Sequence, residues 1–396
     1  MALALLSECI MACVQIPDLP LQKFGKEKVQ KWLQDRVPLS GSMELDLRCN
    51  LRCLHCYRDG DWPSDILNTD EVKSVLDQVA AAGTIWMLFT GGEIFLRKDF
   101  FEIYDHARRL GLIMTLFTNG TTVTERIADR LARDVPYSIE VTLYGRTRET
   151  YEKVTGVDGS HEKCYRGVER MLARGLPVKL KTIVMRTNQH ELVDMAAYAK
   201  GHGLEFKYDT MINPNFDGSL MPCNVRLSPE ESVVVDFELP ERMEEYREYF
   251  EARKHITSSR VFSCGAGSRT FHIDPYGNMK MCILLRDPEY NLREMTFQEI
   301  WNEQFPLTYS KMRDPDHQCN SCNLFSLCDK CPAWSLMEKG SLEARVEYTC
   351  EVGHRRAKAL GYYDGPVDQS TRQDSATEPT TEVLLPILQT AGGCCS

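Results

Sequence analysis

The sequence predicts an α/β chain: a partial (β/α)6, TIM-like barrel over residues 43–227, followed by a small cysteine-rich domain over residues 260–355. Three observations predict it. Six strand-like segments alternate with amphipathic helical segments between residues 43 and 210, the rhythm of parallel βα units. Sixteen cysteines cluster at short spacings in a long chain whose start, "MALALLSECIMACVQ", has no basic n-region and no clear cleavage site, which favours metal sites over disulfides. The 396 residues exceed what one core usually holds, so a second, smaller domain is expected.

Taken in order, residues 1–42 form a polar, helical lead-in. "MELDLR" (43–48) is a strand, and "TDEVKSVLDQVAAAG" (69–83) an amphipathic helix stopped by Gly83. "IWMLFTGGE" (85–93) is a buried strand ending in a glycine turn, and "DFFEIYDHARRLG" (99–111) the next helix. Strands at 112–120, 137–145, 177–185 and 205–211 alternate with helices at 124–133, 161–175 and 190–203. An acidic helical bridge follows at 228–259, then the cysteine-rich domain, then a flexible tail over 356–396. In a barrel of this kind the chemistry sits at the C-terminal ends of the strands. A doubly wound open sheet would use the same ends, so closure stays open.

Composition narrows the function. A formal net charge of −10 argues against a broad nucleic-acid surface. No apolar run approaches the ~20 residues that span a bilayer. A cytoplasmic protein with neither nucleic-acid nor membrane partners is expected.

"RCNLRCLHCYRDG" (48–60) places Cys49, Cys53 and Cys56 just after the first strand. Three thiolates can hold three irons of a cubane and leave the fourth open; a three-cysteine zinc site or buried thiols are the alternatives. The C-x3-C-x2-C spacing resembles the signature of the radical S-adenosylmethionine (SAM) enzymes, with His55 where that family usually has an aromatic residue. The resemblance implies a [4Fe–4S] cluster whose open iron is chelated by SAM, and reductive cleavage of SAM to a 5′-deoxyadenosyl radical. "TGGE" is similar to the family's glycine-glycine-glutamate turn, which implies that Gly91, Gly92 and Glu93 meet the methionine amino group. "FTNG" makes Thr118 and Asn119 candidate ribose or methionine contacts. In "EVTLYG", Thr142 stands where relatives often have serine, and Tyr144 replaces the usual acid. Lys153 and Arg186 are candidates for pairing with the SAM carboxylate, against the alternative of solvated surface charges.

Seven further cysteines follow: Cys264, Cys282, then Cys319-x2-Cys322-x5-Cys328-x2-Cys331, then Cys350. Paired C-x2-C knuckles signal metal, and structural zinc is the plain alternative. After a radical SAM core the array resembles a SPASM domain, which implies two auxiliary [4Fe–4S] clusters. By that resemblance Cys319, Cys322, Cys328 and Cys350 hold the outer cluster, and Cys264, Cys282 and Cys331 the inner one. Cys223 is a spare thiol for the inner site. The last knuckle has two intervening residues where three are common.

SPASM relatives mostly act on peptides. The expected function is therefore oxidation or cross-linking of a peptide or protein side chain, thioether formation for example. The alternatives are a small-molecule or tetrapyrrole substrate, and a non-enzymatic iron–sulfur carrier or scaffold. A reducing donor such as flavodoxin or ferredoxin is the expected partner. Asp209, at the end of the sixth strand, is the candidate catalytic base, and Cys394 and Cys395 in the tail are candidates for reaching the site.

Overall fold

The computed structural model describes residues 31–32, 34–58, 65–254 and 258–365. The lead-in before residue 31, the linker after 365 and the Cys394–Cys395 end lie outside the described residues.

Nine strands form one sheet in the order β6-β5-β4-β3-β2-β1-β7-β8-β9. The first six are Ser40–Glu44 (β1), Trp86–Thr90 (β2), Ile113–Thr118 (β3), Ser138–Thr142 (β4), Val178–Ile183 (β5) and Phe206–Asp209 (β6). Each pairs in parallel with its sequence neighbour. β7 (Thr270–Ile273) adds in parallel to the other side of β1. β8 (Asn278–Lys280) and β9 (Tyr290–Asn291) fold back antiparallel. The cysteine-rich region therefore continues the barrel sheet, which the sequence pattern did not predict.

The two sheet faces differ as strand alternation requires. Met43, Phe89, Leu116, Val141 and Leu180 are buried with Leu76, Val79, Ile103 and Tyr104 of the covering helices. The opposite, inner face carries Glu44, Thr90, Phe117, Glu140, Thr142, Lys181 and Asp209, aligned by the ladder register.

Four boundaries differ from the sequence reading. β1 starts at Ser40 and ends at Glu44, earlier than the expected strand. Residues 46–48 leave the ladder because their carbonyls accept instead from the glycine turn: Gly92 N donates to Asp46 O and Glu93 N to Arg48 O, both at 2.8 Å. A helix not expected from sequence, Arg148–Thr155, is capped by the Thr147 side chain. The acidic bridge is two helices, Pro229–Asp236 and Pro240–Glu251, the first opened by a Ser228–Glu231 capping box. The tail does not begin at 356: the helix Glu347–Ala359 runs across that boundary with Arg356 fully buried, and Leu360 packs with Phe250 and Leu327.

Candidate active site and cluster sites

The cysteine loop is held from below by the glycine turn. A Cβ on Gly91, whose φ is +136°, would lie 2.3 Å from Asp46 O; one on Gly92 would lie 2.1 Å from Arg48 O. Both glycines are required by the backbone that leads into Cys49, so their lack of side chains serves the protein's own packing. Glu93 is completely buried. Its Oε1 accepts from Thr118 Oγ1 (2.7 Å) and Thr122 Oγ1 (3.0 Å), and its Oε2 from Asn119 N (2.8 Å). Burial raises the Glu93 pKa against the pull of these donors. The carboxylate thus ties the end of β2 to the end of β3. Thr118 donates its hydroxyl to Glu93.

Asn119 reaches the cysteine loop. Its Nδ2 lies 3.8 Å from Cys49 Sγ and donates to Asn50 Oδ1 at 3.1 Å. The loop itself turns through Cys56 N donating to Cys53 O at 3.1 Å. Burial raises the Cys53 thiol pKa, and the neighbouring Cys56 and Cys49 thiolates raise it further. The three thiols sit on one short loop after β1. His55 is partly buried with its ring centroid 5.0 Å from that of Tyr144. Its Nδ1 has no hydrogen-bond partner among the described residues, and burial lowers its pKa to about 4, so the imidazole is neutral. Tyr144, buried, also lies against the Cys53 thiol. It packs the loop, so it is no substitute for a solvent-facing acid. Thr142 ends β4 on the inner face, in register with Lys181.

Beneath the loop is a buried ion pair that sequence reading missed. Arg58 pairs with Glu44, and His272 of β7 places Nε2 3.5 Å from Glu44 and Nδ1 2.9 Å from Ser42 Oγ. Burial alone would raise the Glu44 carboxyl, but Arg58 and His272 outweigh it and hold it at about 2. The signal in sequence was weak: Glu44 alternates with Met43 on a strand whose other face is apolar.

Two further candidates are exposed. Lys153 is exposed on the helix Arg148–Thr155, whose Tyr151, Val154 and Thr155 take the buried side. The Arg186 side chain is 56% exposed and faces Glu231 of the bridge at 4.0 Å. Asp209 ends β6 on the inner face beside Ile183, its Oδ1 accepting from Met211 N at 2.9 Å. Burial and the nearby Asp329 carboxylate lift its pKa to about 6.

The outer cysteines converge. Cys319, Cys322, Cys328 and Cys350 line one cavity with Lys330, Arg345 and His354. Lys330 Nζ lies 3.7 Å from Cys319 Sγ and donates to Glu343 O at 2.9 Å. Gly353 lets the helix that carries Cys350 approach the knuckle, since a Cβ there would lie 3.0 Å from Cys328 Cα. Arg356, one turn on, donates to Asp236 at 2.8 Å and pairs with Asp329 of the knuckle. The inner set is less gathered. Cys282 and Cys331 are partly buried against the main core, while Cys264 is exposed on the turn before β7. Cys223 Sγ lies 3.9 Å from Ile212 O, beside Arg226.

The donors of the three-cysteine loop and of the four-cysteine cavity include thiols at every candidate position, the donor type of iron–sulfur clusters. Among the described residues no three His, Cys, Asp or Glu side chains are grouped closely enough to hold a single metal ion. No helix among the described residues is long and apolar enough to cross a membrane.

Comparison with known proteins agrees with this geometry. The radical SAM superfamily description matches residues 44–199, and the SPASM iron–sulfur cluster-binding domain matches residues 264–332. An AdoMet-dependent heme synthase of Methanosarcina barkeri is 27% identical over 315 residues, covering 73% of this chain and 90% of its own. The mycofactocin maturase MftC of Mycobacterium tuberculosis is 25% identical over 306 residues, covering 74% and 77%. Streptococcus suis SuiB, solved with its precursor peptide SuiA, has the same fold: the TM-score is 0.65 at 15% identity, over 83% of this chain and 80% of that one. The two matched domains imply a SAM-binding [4Fe–4S] cluster, SAM and auxiliary clusters. The chain belongs to the radical SAM superfamily and carries a C-terminal SPASM domain.

Proposed function

We propose that this enzyme removes a hydrogen from a side chain of a peptide or protein and completes a net oxidation or cross-link, a thioether for example. The observation that carries the reading is the continuity of the sheet. β7 of the cysteine-rich region pairs directly with β1, so the three-thiol loop and the turns that carry Cys264 and Cys282 stand on one sheet. A substrate radical that must lose an electron then has acceptors within the same body.

In this reading Cys49, Cys53 and Cys56 hold the SAM-binding cluster. Cys319, Cys322, Cys328 and Cys350 hold the outer auxiliary cluster, and Cys264, Cys282 and Cys331 the inner one. When bound, the first cluster and SAM supply the 5′-deoxyadenosyl radical. The protein's own contribution is placement. Gly91 and Gly92 set the height of the cysteine loop, and Glu93 fixes Asn119 beside it. His55, neutral and with an unpaired Nδ1, offers a polar edge to the nucleoside, and Thr142 offers a hydroxyl from the inner face. A ferredoxin or flavodoxin is the proposed donor of the reducing electron.

Asp209 is the proposed proton acceptor. A carboxylate near 6 is poised to take a proton at neutral pH. Asp209→Asn is expected to slow product formation about 10²-fold while SAM cleavage continues. The same substitution changes the pH dependence of stability. The raised folded pKa means that the native state binds the proton more tightly than the unfolded chain, so ionised Asp209 costs stability. That cost grows as pH rises from about 4 towards 6 and is absent in the Asn variant. Urea unfolding of both proteins across this range checks it; parallel curves would reject the buried setting of Asp209.

A tetrapyrrole substrate is the second reading, supported by the heme synthase relative and by a Methanosarcina barkeri Fe-coproporphyrin III synthase that is 33% identical over 148 residues. Anaerobic turnover separates the two. Reconstituted enzyme with SAM and dithionite is offered a peptide encoded beside its gene or iron coproporphyrin. Mass change in the peptide supports the first reading; decarboxylated porphyrin alone replaces it with the second.

A further inference from the structure

Arg286 is a half-buried guanidinium without a carboxylate partner among the described residues. Its charged carbon sits 4.4 Å from the ring centroid of Phe216. The Phe216 ring in turn packs tilted at 60° against Tyr57 with centroids 4.9 Å apart, and its backbone N–H donates to Tyr57 O at 3.3 Å. Tyr57 immediately follows Cys56. Arg286 thus stands where three segments meet: the cysteine loop, the loop after β6 and the β8–β9 connection.

A second guanidinium lies at the same seam. The Arg58 side chain is only 10% exposed, and although it pairs with Glu44, its Nη1 has no hydrogen-bond partner among the described residues. The Tyr276 phenol, on the turn after β7, is close enough to feel both Arg286 and Arg58. Among the described residues the seam gathers Arg286 and Arg58 with the carboxylates Glu44 and Asp274; Glu44 pairs with Arg58 and Asp274 with Lys280, which leaves Arg286 as the guanidinium without an ion pair. A partly desolvated charge without a counter-ion is costly, and an aromatic ring offsets only part of that cost. The Phe216 ring covers one side of the Arg286 guanidinium carbon, and the fork of guanidinium donors suits a planar, two-oxygen anion.

We propose that Arg286, with Arg58 behind it, docks a carboxylate of the substrate at this seam. The proposal deepens the functional reading above and rests on it, since the seam is a substrate site only if the cysteine loop is the reaction centre. The shared chemistry is a carboxylate, from an acidic peptide side chain or from a porphyrin propionate.

The test uses full-length reconstituted enzyme and two probe pairs: iron coproporphyrin against its tetramethyl ester, and a Glu-containing hexapeptide against its Gln counterpart. At least one carboxylate form is expected to bind the wild type about tenfold more tightly than its masked partner. Arg286→Met keeps the stem on Phe216 and is expected to erase that preference, and Arg286→Lys to restore part of it. The pair that shows the preference identifies the source of the carboxylate. No preference in either pair, or a preference that survives in Arg286→Met, overturns the proposal. Substrate-free release of 5′-deoxyadenosine is measured beside it. Its absence from the wild type would reject the functional reading while leaving the binding result to stand alone.

Discussion

Gly92→Ala is expected to deprive the cysteine loop of its cluster and to lower 5′-deoxyadenosine formation by about 10²-fold or more, the scale set by an ångström-sized misplacement of reacting groups. The reason is backbone against backbone. The new Cβ would lie 2.1 Å from Arg48 O and 2.6 Å from Leu47 O, and neither atom is the end of a flexible side chain. Relief requires residues 47–49 to move off the turn. That breaks the bonds from Gly92 N to Asp46 O and from Glu93 N to Arg48 O, each worth about 1 kcal/mol. The overpacking adds about 1–3 kcal/mol. Gly201→Ala is the control: a Cβ there meets nothing within 4 Å, so iron content and activity are expected to match the wild type. Iron per chain and SAM cleavage, measured on all three proteins, check the argument. A Gly92→Ala enzyme with normal iron and normal cleavage would show that the turn does not set the loop.

Arg356→Met is expected to destabilise the protein by about 3–5 kcal/mol, the usual result of breaking a buried pair from one side. Arg356 and Asp236 are each 1% exposed, and the guanidinium also holds Asp329 and donates to Leu327 O at 3.3 Å. It therefore joins the first bridge helix, the Cys328 knuckle and the helix that carries Cys350. Removing it strands the Asp236 carboxylate in the interior. The midpoint of urea unfolding should fall, and the variant should lose outer-cluster iron before it loses SAM cleavage. An unchanged midpoint would mean that the network carries no stability. Asp236→Asn separates charge from shape: it keeps an acceptor for Arg356 and is expected to cost less.

These two residues illustrate what sequence made legible. The six parallel strands were readable because Met43, Phe89, Leu116, Val141 and Leu180 recur at strand period between amphipathic helices. Spacing flagged the cysteines as metal sites and the resemblance grouped them; the outer four line one cavity. Arg356 was not readable: its partners lie 120 and 27 residues away, and no local period reports a pairing at that distance. The protein partners of Glu93 were not readable, because a motif names a residue but not what its side chain touches. Here Thr118, Asn119 and Thr122 claim its oxygens. The exposure of Lys153 and Arg186 was not legible for a related reason. A cation after a strand can serve a ligand or the solvent, and the apolar side of each neighbourhood decides which. β7 to β9 are short, and strands of two to four residues carry too little alternation to detect.

The most direct test of the central claim, that a three-thiol SAM site stands beside separate auxiliary clusters, is iron content and SAM cleavage in the Cys49→Ala/Cys53→Ala/Cys56→Ala variant. The wild type should hold about twelve irons and release 5′-deoxyadenosine with dithionite; the variant should hold about eight and release none. Zinc in place of iron, or a variant that still cleaves SAM, would contradict the account.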